Sequence, residues 1–190
     1  MQRAMAMLAL GVLTAGAAQA RSLYWERIDV VVQVNRDGTF DVTETQEYVF
    51  DGAWNGGYRD IPLDNVDHIS GIELWEGGRR YRPGSVDHVG GVLIQPGLRQ
   101  IHVKWRSREV HDPPYRNAHE IFTLKYRVHG GLDFGRDHDQ LHWKMLFPDR
   151  LAVVNEATAT IRLPAGIPRG EVRAQLMALT RRGSDRKSVV

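Results

Sequence analysis

The chain has 190 residues and no cysteine, so disulfide stapling, thiolate catalysis and cysteine-ligated zinc are all excluded. Its formal charge is +2, from 25 basic and 23 acidic side chains. Arg3 supplies one of those charges, and Arg186 with Lys187 against Asp185 the other, so the basic balance sits at the two ends and gives no ground for nucleic-acid binding.

Residues 1–20 read as a signal peptide. Arg3 gives a positive start, an apolar run follows, and Ala18-Gln19-Ala20 has the small-x-small form that predicts cleavage between Ala20 and Arg21. The apolar run is well short of the ~20 residues that span a bilayer, which favours cleavage over retention as an anchor. No later segment approaches that length, and there is no low-complexity tract or internal repeat.

From residue 28 the pattern becomes that of strands. Ile28, Val30, Val32 and Val34 alternate with more polar positions, which predicts one buried face. Asn35-Arg36-Asp37-Gly38 predicts a tight turn. On the return strand Phe40, Val42, Tyr48 and Phe50 share a face with Glu44 and Gln46. A carboxylate among apolar neighbours needs a partner or a wet edge. Residues 51–57 read as a Gly-rich loop, and 58–63 as extended because Pro62 biases Ile61 toward the β region.

Further strands are predicted over 69–75, 92–94, 101–105, 122–128, 141–143 and 153–163, separated by glycine, proline and charged turns. Trp105 and Trp143 fall on apolar strand faces, as core residues would. Pro113-Pro114 is one place where two subdomains could divide, although nothing there resembles a linker. Residues 171–179 fit either a strand or one short helix. About seven to nine such strands predict an all-β fold, an antiparallel β-sandwich with one wet face per sheet.

With the strands placed, a resemblance emerges. The run Asp37-Gly38-x-x-x-Val42-x-Glu44, the aromatic strand to Phe50, and Gly57-Tyr58-Arg59-Asp60-Ile61-Pro62 resemble the extracytoplasmic domain of a predicted bacterial membrane protein family, domain of unknown function 2207. Residues 123–128, Asp139-x-Leu141-x-Trp143 and Ile161-Arg162-Leu163-Pro164 fit the same pattern, so the resemblance covers roughly residues 23–164. Members commonly carry Asn after the tryptophan, where this chain has Lys144. The resemblance implies an N-terminal extracytoplasmic domain that continues into transmembrane helices, and it brings no assigned reaction. The chain is therefore expected to be a truncated piece: residues 1–20 signal, 21–184 the β-sandwich, and 185–190 read-through into a sequencing-library adapter, which those six residues back-translate to. The alternative for 185–190 is a frayed charged terminus.

Candidate residues follow from this frame. Glu44 and Arg59 are expected to pair as a structural staple across neighbouring strands, the alternative being an Arg59 free to bind an anion. Trp54, expected to be exposed in the Gly-rich loop, is the first candidate for a binding contact, with Tyr58 and Arg59 beside it. Asp137-His138-Asp139 with His142 reads as a solvated turn rather than a metal site, for there is no HExxH unit. Ser85, Asp87 and His88 have triad residue types, but near neighbours in sequence rarely form a triad and no G-x-S-x-G elbow is present. No catalytic residue, metal or cofactor is expected. The expected function is a non-catalytic sensing or interaction domain whose partner is an unknown protein or envelope ligand. The alternatives are a free periplasmic carbohydrate-binding sandwich or an exported hydrolase, the last requiring a pocket that gathers Asp60, His88 or His138.

Overall fold

The computed structural model describes residues 21–146, 152–168, 172–173, 175–180 and 183–188. The predicted signal peptide 1–20, with Ala20 of its cleavage site, lies outside the described residues. The described part contains fourteen strands and no helix, so none of its helices could be long and apolar enough to cross a membrane.

The first two strands form a long hairpin, β1 (Ser22–Val34) and β2 (Phe40–Gly52). Its turn closes as the sequence predicts, with Gly38 at a φ of 82° that only glycine adopts without strain. The Asn35 side-chain amide donates to the Thr39 hydroxyl at 3.0 Å and to Asp41 Oδ2 at 3.1 Å, which pins the register. The inward row of β2 is Phe40, Val42, Glu44, Gln46, Tyr48 and Phe50, all buried. Its outward row, Asp41, Thr43, Thr45 and Glu47, is half-buried and polar.

Four more strands complete the large sheet: β4 (His68–Glu76), β5 (Arg79–Arg80), β9 (Tyr115–His129) and β12 (Val154–Arg162). The order is β12-β1-β2-β9-β4-β5. Opposite it lies a four-stranded sheet, ordered β3-β8-β7-β6, from β3 (Gly56–Pro62), β6 (Arg82–Pro83), β7 (Gly91–Pro96) and β8 (Gln100–Arg106). One core is shared between them. Val30, Val32, Phe40, Val42, Leu74, Phe122, Leu124 and Val128 come from the large sheet, and Ile61, Val92, Ile101, Val103 and Trp105 from the small one. Each such side chain contributes about 1.5–3 kcal/mol by leaving water. Two ribbons stand apart from these sheets, β10 (Leu132–Phe134) with β11 (Asp139–Leu141), and β13 (Gln175–Thr180) with β14 (Gly183–Ser188).

The all-β sandwich is as the alternation predicts, with three differences. There are fourteen strands rather than seven to nine, because β5, β6 and β10 are two or three residues long and too short to show a period, and because β13 and β14 add a hairpin at the charged end that alternation does not mark. The sheets are mixed rather than wholly antiparallel: β12 runs parallel to β1 and β6 parallel to β7. Trp143 is not on a strand; β11 ends at Leu141, and the indole turns back onto Phe40 and Tyr126, at ring distances of 5.4 and 6.1 Å. Pro113-Pro114 divides nothing, since β9 begins at Tyr115 and pairs with both β2 and β4. Within the ambiguous 171–179 segment, β13 settles its residues as strand.

The large sheet is wider than the small one, and among the described residues nothing covers β12. Its residues Ala157, Ala159 and Ile161 align with the core residues Ile28, Val30 and Val32, yet all three are exposed.

Candidate functional site

The strand β3 organises the site. Its alternation sends Arg59 and Ile61 into the core and leaves Tyr58, Asp60 and Pro62 on the outer face of the small sheet. The strand reaches its place because Gly56 and Gly57 carry no side chain. A Cβ on Gly57 would lie 2.5 Å from the Trp105 ring, and one on Gly56 would lie 2.0 Å from the Trp105 carbonyl oxygen.

Beneath the strand, Arg59 forms a two-pronged ion pair with Glu44. Its Nε donates to Glu44 Oε2 at 2.9 Å and its Nη2 to Oε1 at 2.8 Å. The side chains are 4% and 1% exposed, which makes this a core ion pair rather than a surface one. A charge taken out of water is tolerable only when its remaining hydrogen-bonding capacity is met, and here it is. Tyr126 donates its hydroxyl to Glu44 Oε1 at 2.6 Å, and Gln46 Nε2 donates to Oε2 at 3.1 Å. Gln46 is held in turn, its Oε1 accepting from the Tyr48 hydroxyl at 2.9 Å and from Trp25 Nε1 at 3.1 Å. Arg59 Nη1 reaches the carbonyl of Asp60. Burial, and then the charge of Glu44, push the Tyr126 phenol well above its usual range, so it stays protonated and donates to Glu44.

The pair does not run across neighbouring strands. Glu44 lies on β2 of the large sheet and Arg59 on β3 of the small one, so the bond crosses the interior and ties the two sheets together. Strand neighbours of Glu44 are Val30 and Leu124, neither of which could meet its charge. Only the opposite sheet could. This geometry also removes Arg59 from the candidates for ligand contact.

On the outer face the same strand presents polar and aromatic groups. Asp60 faces His102 across the β3–β8 ladder, with Oδ1 2.6 Å from Nδ1. Tyr58 is half exposed, and its ring lies 5.6 Å from that of His102. Lys104 stands opposite Tyr58 and is exposed. His102 was not a candidate from sequence, because its partner is 42 residues away and only the ladder register brings them together. The alternation of 101–105 does place His102 on the outer face, which is the one signal available.

Trp54 is not the exposed residue that its Gly-rich loop predicts. It is half-buried, its indole N–H lies 3.0 Å from the Ser22 carbonyl and 2.9 Å from the Asp51 carbonyl, and its ring packs 5.8 Å from Phe50. The Arg21 guanidinium covers it from outside, 4.9 Å from the ring centroid. Trp54 is part of how the loop closes.

The remaining candidates stay scattered. Ser85 donates its hydroxyl to Asp87 at 2.6 Å, while the Asp87 backbone N–H donates back to Ser85 Oγ at 2.9 Å, a local turn on an exposed loop. His88 lines an open arginine-rich cleft with Arg79, Arg80 and Arg82. His138 and His142 both bond Gln140, at 2.7 and 2.8 Å, around the β10–β11 turn. Neither that cleft nor a second one, along Asn65–Asp67 and Gly130–Asp133, gathers Asp60, His88 and His138. A further group that sequence reasoning missed lies where β4 ends against the first half of β9. There Tyr81 donates its hydroxyl to Glu76 at 3.0 Å, and burial, then the charge of Glu76, raises the carboxyl pKa of Glu120.

A family model described as the N-terminal domain of a predicted membrane protein (DUF2207) matches residues 24–189. No curated protein matches the chain. Among solved structures, a crystal structure of a provisionally named protease from Parabacteroides distasonis ATCC 8503 is similar over 83% of this chain at 9% identity, with a TM-score of 0.39. This chain spans 33% of that one, and so loose an overlay carries neither fold nor activity across.

Proposed function

This chain belongs to the predicted membrane protein family DUF2207 as its N-terminal domain, and from that membership we propose that it is a non-catalytic sensing or interaction module on the extracytoplasmic side of a membrane. The signal-like residues 1–20 support export, and the family description supports attachment to a membrane through the rest of the protein. The observation that carries the interaction reading is the outer face of the small sheet. Tyr58, Asp60, His102 and Lys104 stand on two adjacent strands, and the core ion pair on the opposite face of β3 holds that strand in place. Exposed polar and aromatic side chains on a rigid element recognise a partner with little ordering cost. The expected partner is a protein or an envelope ligand.

A photo-crosslinking amino acid at Tyr58, with a second variant at Lys104, tests this in the exporting cell. Discrete adducts at both positions, absent when the probe stands at Thr123 on the large sheet's wet face, are the expected result. Background labelling at Tyr58 equal to that at Thr123 would remove the reading.

Carbohydrate binding is the second reading, favoured by the half-exposed Tyr58 ring beside groups that donate and accept hydrogen bonds. Titration with soluble envelope oligosaccharides, followed by the ring resonances of Tyr58 and His102, separates the two. An exported hydrolase is the weakest reading, because the Asp60–His102 pair lies on an open sheet face and the Ser85 hydroxyl is committed to Asp87.

A further inference from the structure

The open edge of β12 is the longest unpaired ladder on the large sheet, and its chemistry selects a partner. Among the described residues no strand pairs with the side of β12 that faces away from β1. Natural edges of this kind are guarded by proline, lysine, a bulge or a short span. Val154–Arg162 has nine residues, contains neither proline nor lysine, and pairs with β1 without a register shift. Its inward row Ala157, Ala159 and Ile161 continues the core row of β1 but is exposed, Ile161 by 45%. A long regular edge whose only charges are one acid and one base, beside an exposed apolar row, is a surface that gains from being extended by another strand.

The strand carries only two charges, Glu156 and Arg162, and they fix how another copy of it would fit. We propose that β12 is the contact between two copies of this chain, joined as an antiparallel β12–β12 pair that runs the two large sheets into one. A two-fold axis at Ala159, perpendicular to the sheet, sets Glu156 of each copy opposite Arg162 of the other. The same register sets Thr158 opposite Thr160 on the wet face. On the inner face it sets Ala157 opposite Ile161, and Ala159 opposite itself. Side chains directly opposite in an antiparallel pair share a face, so the charged, hydroxyl and apolar rows each meet their own kind. Moving the axis by one residue separates both ion pairs, and an in-register parallel pair would set Glu156 against Glu156. The interface is thus isologous and closes on itself rather than growing a fibre. Within one copy, Glu156 touches Arg27 at 3.4 Å, but both side chains are more than half exposed and free to turn toward the new partner.

Sedimentation of the purified chain over a dilution series tests the proposal. A reversible dimer is expected. Arg162→Glu and Glu156→Arg should each raise its dissociation constant about tenfold, as two cross-strand ion pairs become like-charge contacts. The double variant E156R/R162E should restore it, which a merely structural role of either residue would not do. Because the chain has no cysteine, Ala159→Cys supplies a single crosslinking site and should form a disulfide-linked dimer on oxidation, whereas Thr45→Cys on the wet face of β2 should not. A monomer at every concentration overturns the proposal, including one in which a later segment of the chain protects the β12 amides from exchange. So does a dimer that ignores charge reversal and does not crosslink at position 159.

Discussion

The two faces of β2 carry the same chemistry in different surroundings. On the inner face Glu44 takes a two-pronged bond from Arg59, at 2.9 and 2.8 Å. On the outer face Asp41 takes one from Arg127, at 2.7 and 3.0 Å. The distances hardly differ, but the inner pair is 4% and 1% exposed and the outer pair 47% and 41%. Water screens the outer charges and would solvate either if it lost the other. Nothing would solvate Glu44 or Arg59. Geometry alone therefore says little about what an ion pair contributes; burial decides whether its loss leaves an uncompensated charge.

The sharpest way to break this contrast is to remove one inner carboxylate. Glu44→Ala should destabilise the domain by ~3–5 kcal/mol, because Arg59 is left charged in the core. For a domain of this size that corresponds to a fall in Tm of roughly 10 °C by calorimetry, and an unchanged Tm would show that the pair does not hold the sheets together. Tyr126→Phe removes only the hydroxyl that donates to Glu44, and should cost about 1.5–3 kcal/mol, the range for a hydrogen bond to a charged group.

The outer pair should respond far less. Asp41→Asn is expected to lower stability by at most ~1 kcal/mol, and the difference should vanish in 1 M salt, where the Debye length is only ~3 Å. Its pH dependence has a definite sign. The Arg127 guanidinium and the Asn35 amide hold the Asp41 carboxyl below its ordinary value, partly offset by burial. The stabilisation is thus present above the unfolded aspartate pKa, about 3.9, and is lost as pH falls through the lower folded value. Chemical denaturation of D41N and the parent should converge in that acid range.

Glu120 is the smallest effect and the opposite sign. Burial first, and then the charge of Glu76, raise its carboxyl above the ordinary value. The native state therefore favours the protonated form, and stability falls as pH rises through the folded pKa. Glu120→Gln should raise Tm slightly at pH 7 and leave it unchanged at pH 4. A lower Tm at pH 7 would mean that the charge of Arg108 and the Tyr115 hydrogen bond, which favour the carboxylate, outweigh burial and Glu76.

Much of this could be read from the chain alone, and the rest fails for identifiable reasons. Period-2 alternation marks β1, β2, β8 and β9 because each has one face against the core. Glu44 among Val42, Gln46 and Tyr48 announces that it needs a counter-charge, and Arg59 is the arginine on the next extended segment. Which sheet Arg59 belongs to is a matter of topology, which alternation does not encode. The parallel β1–β12 pairing is hidden for the same reason, since the two strands are joined only through the rest of the domain. Trp54 misleads because glycines imply an open loop, whereas one indole N–H between the Ser22 and Asp51 carbonyls closes it. The Asp60–His102 contact depends on the β3–β8 register, which no local pattern fixes.

The pairing of β1 with β12 also bears on when the molecule can become whole. The Thr158–Asp29 and Asn155–Glu26 bonds each close a loop of 129 residues, and the Asp41–Arg127 bonds one of 86. Contacts so distant along the chain form late and slowly, because loop-closure entropy must be overcome before they stabilise anything. The first strand to be synthesised thus lacks one of its two neighbours until residues 154–162 have followed it. A chain with that timetable can close the β1–β2 hairpin early, but its large sheet stays one strand short until residue 162 has been made.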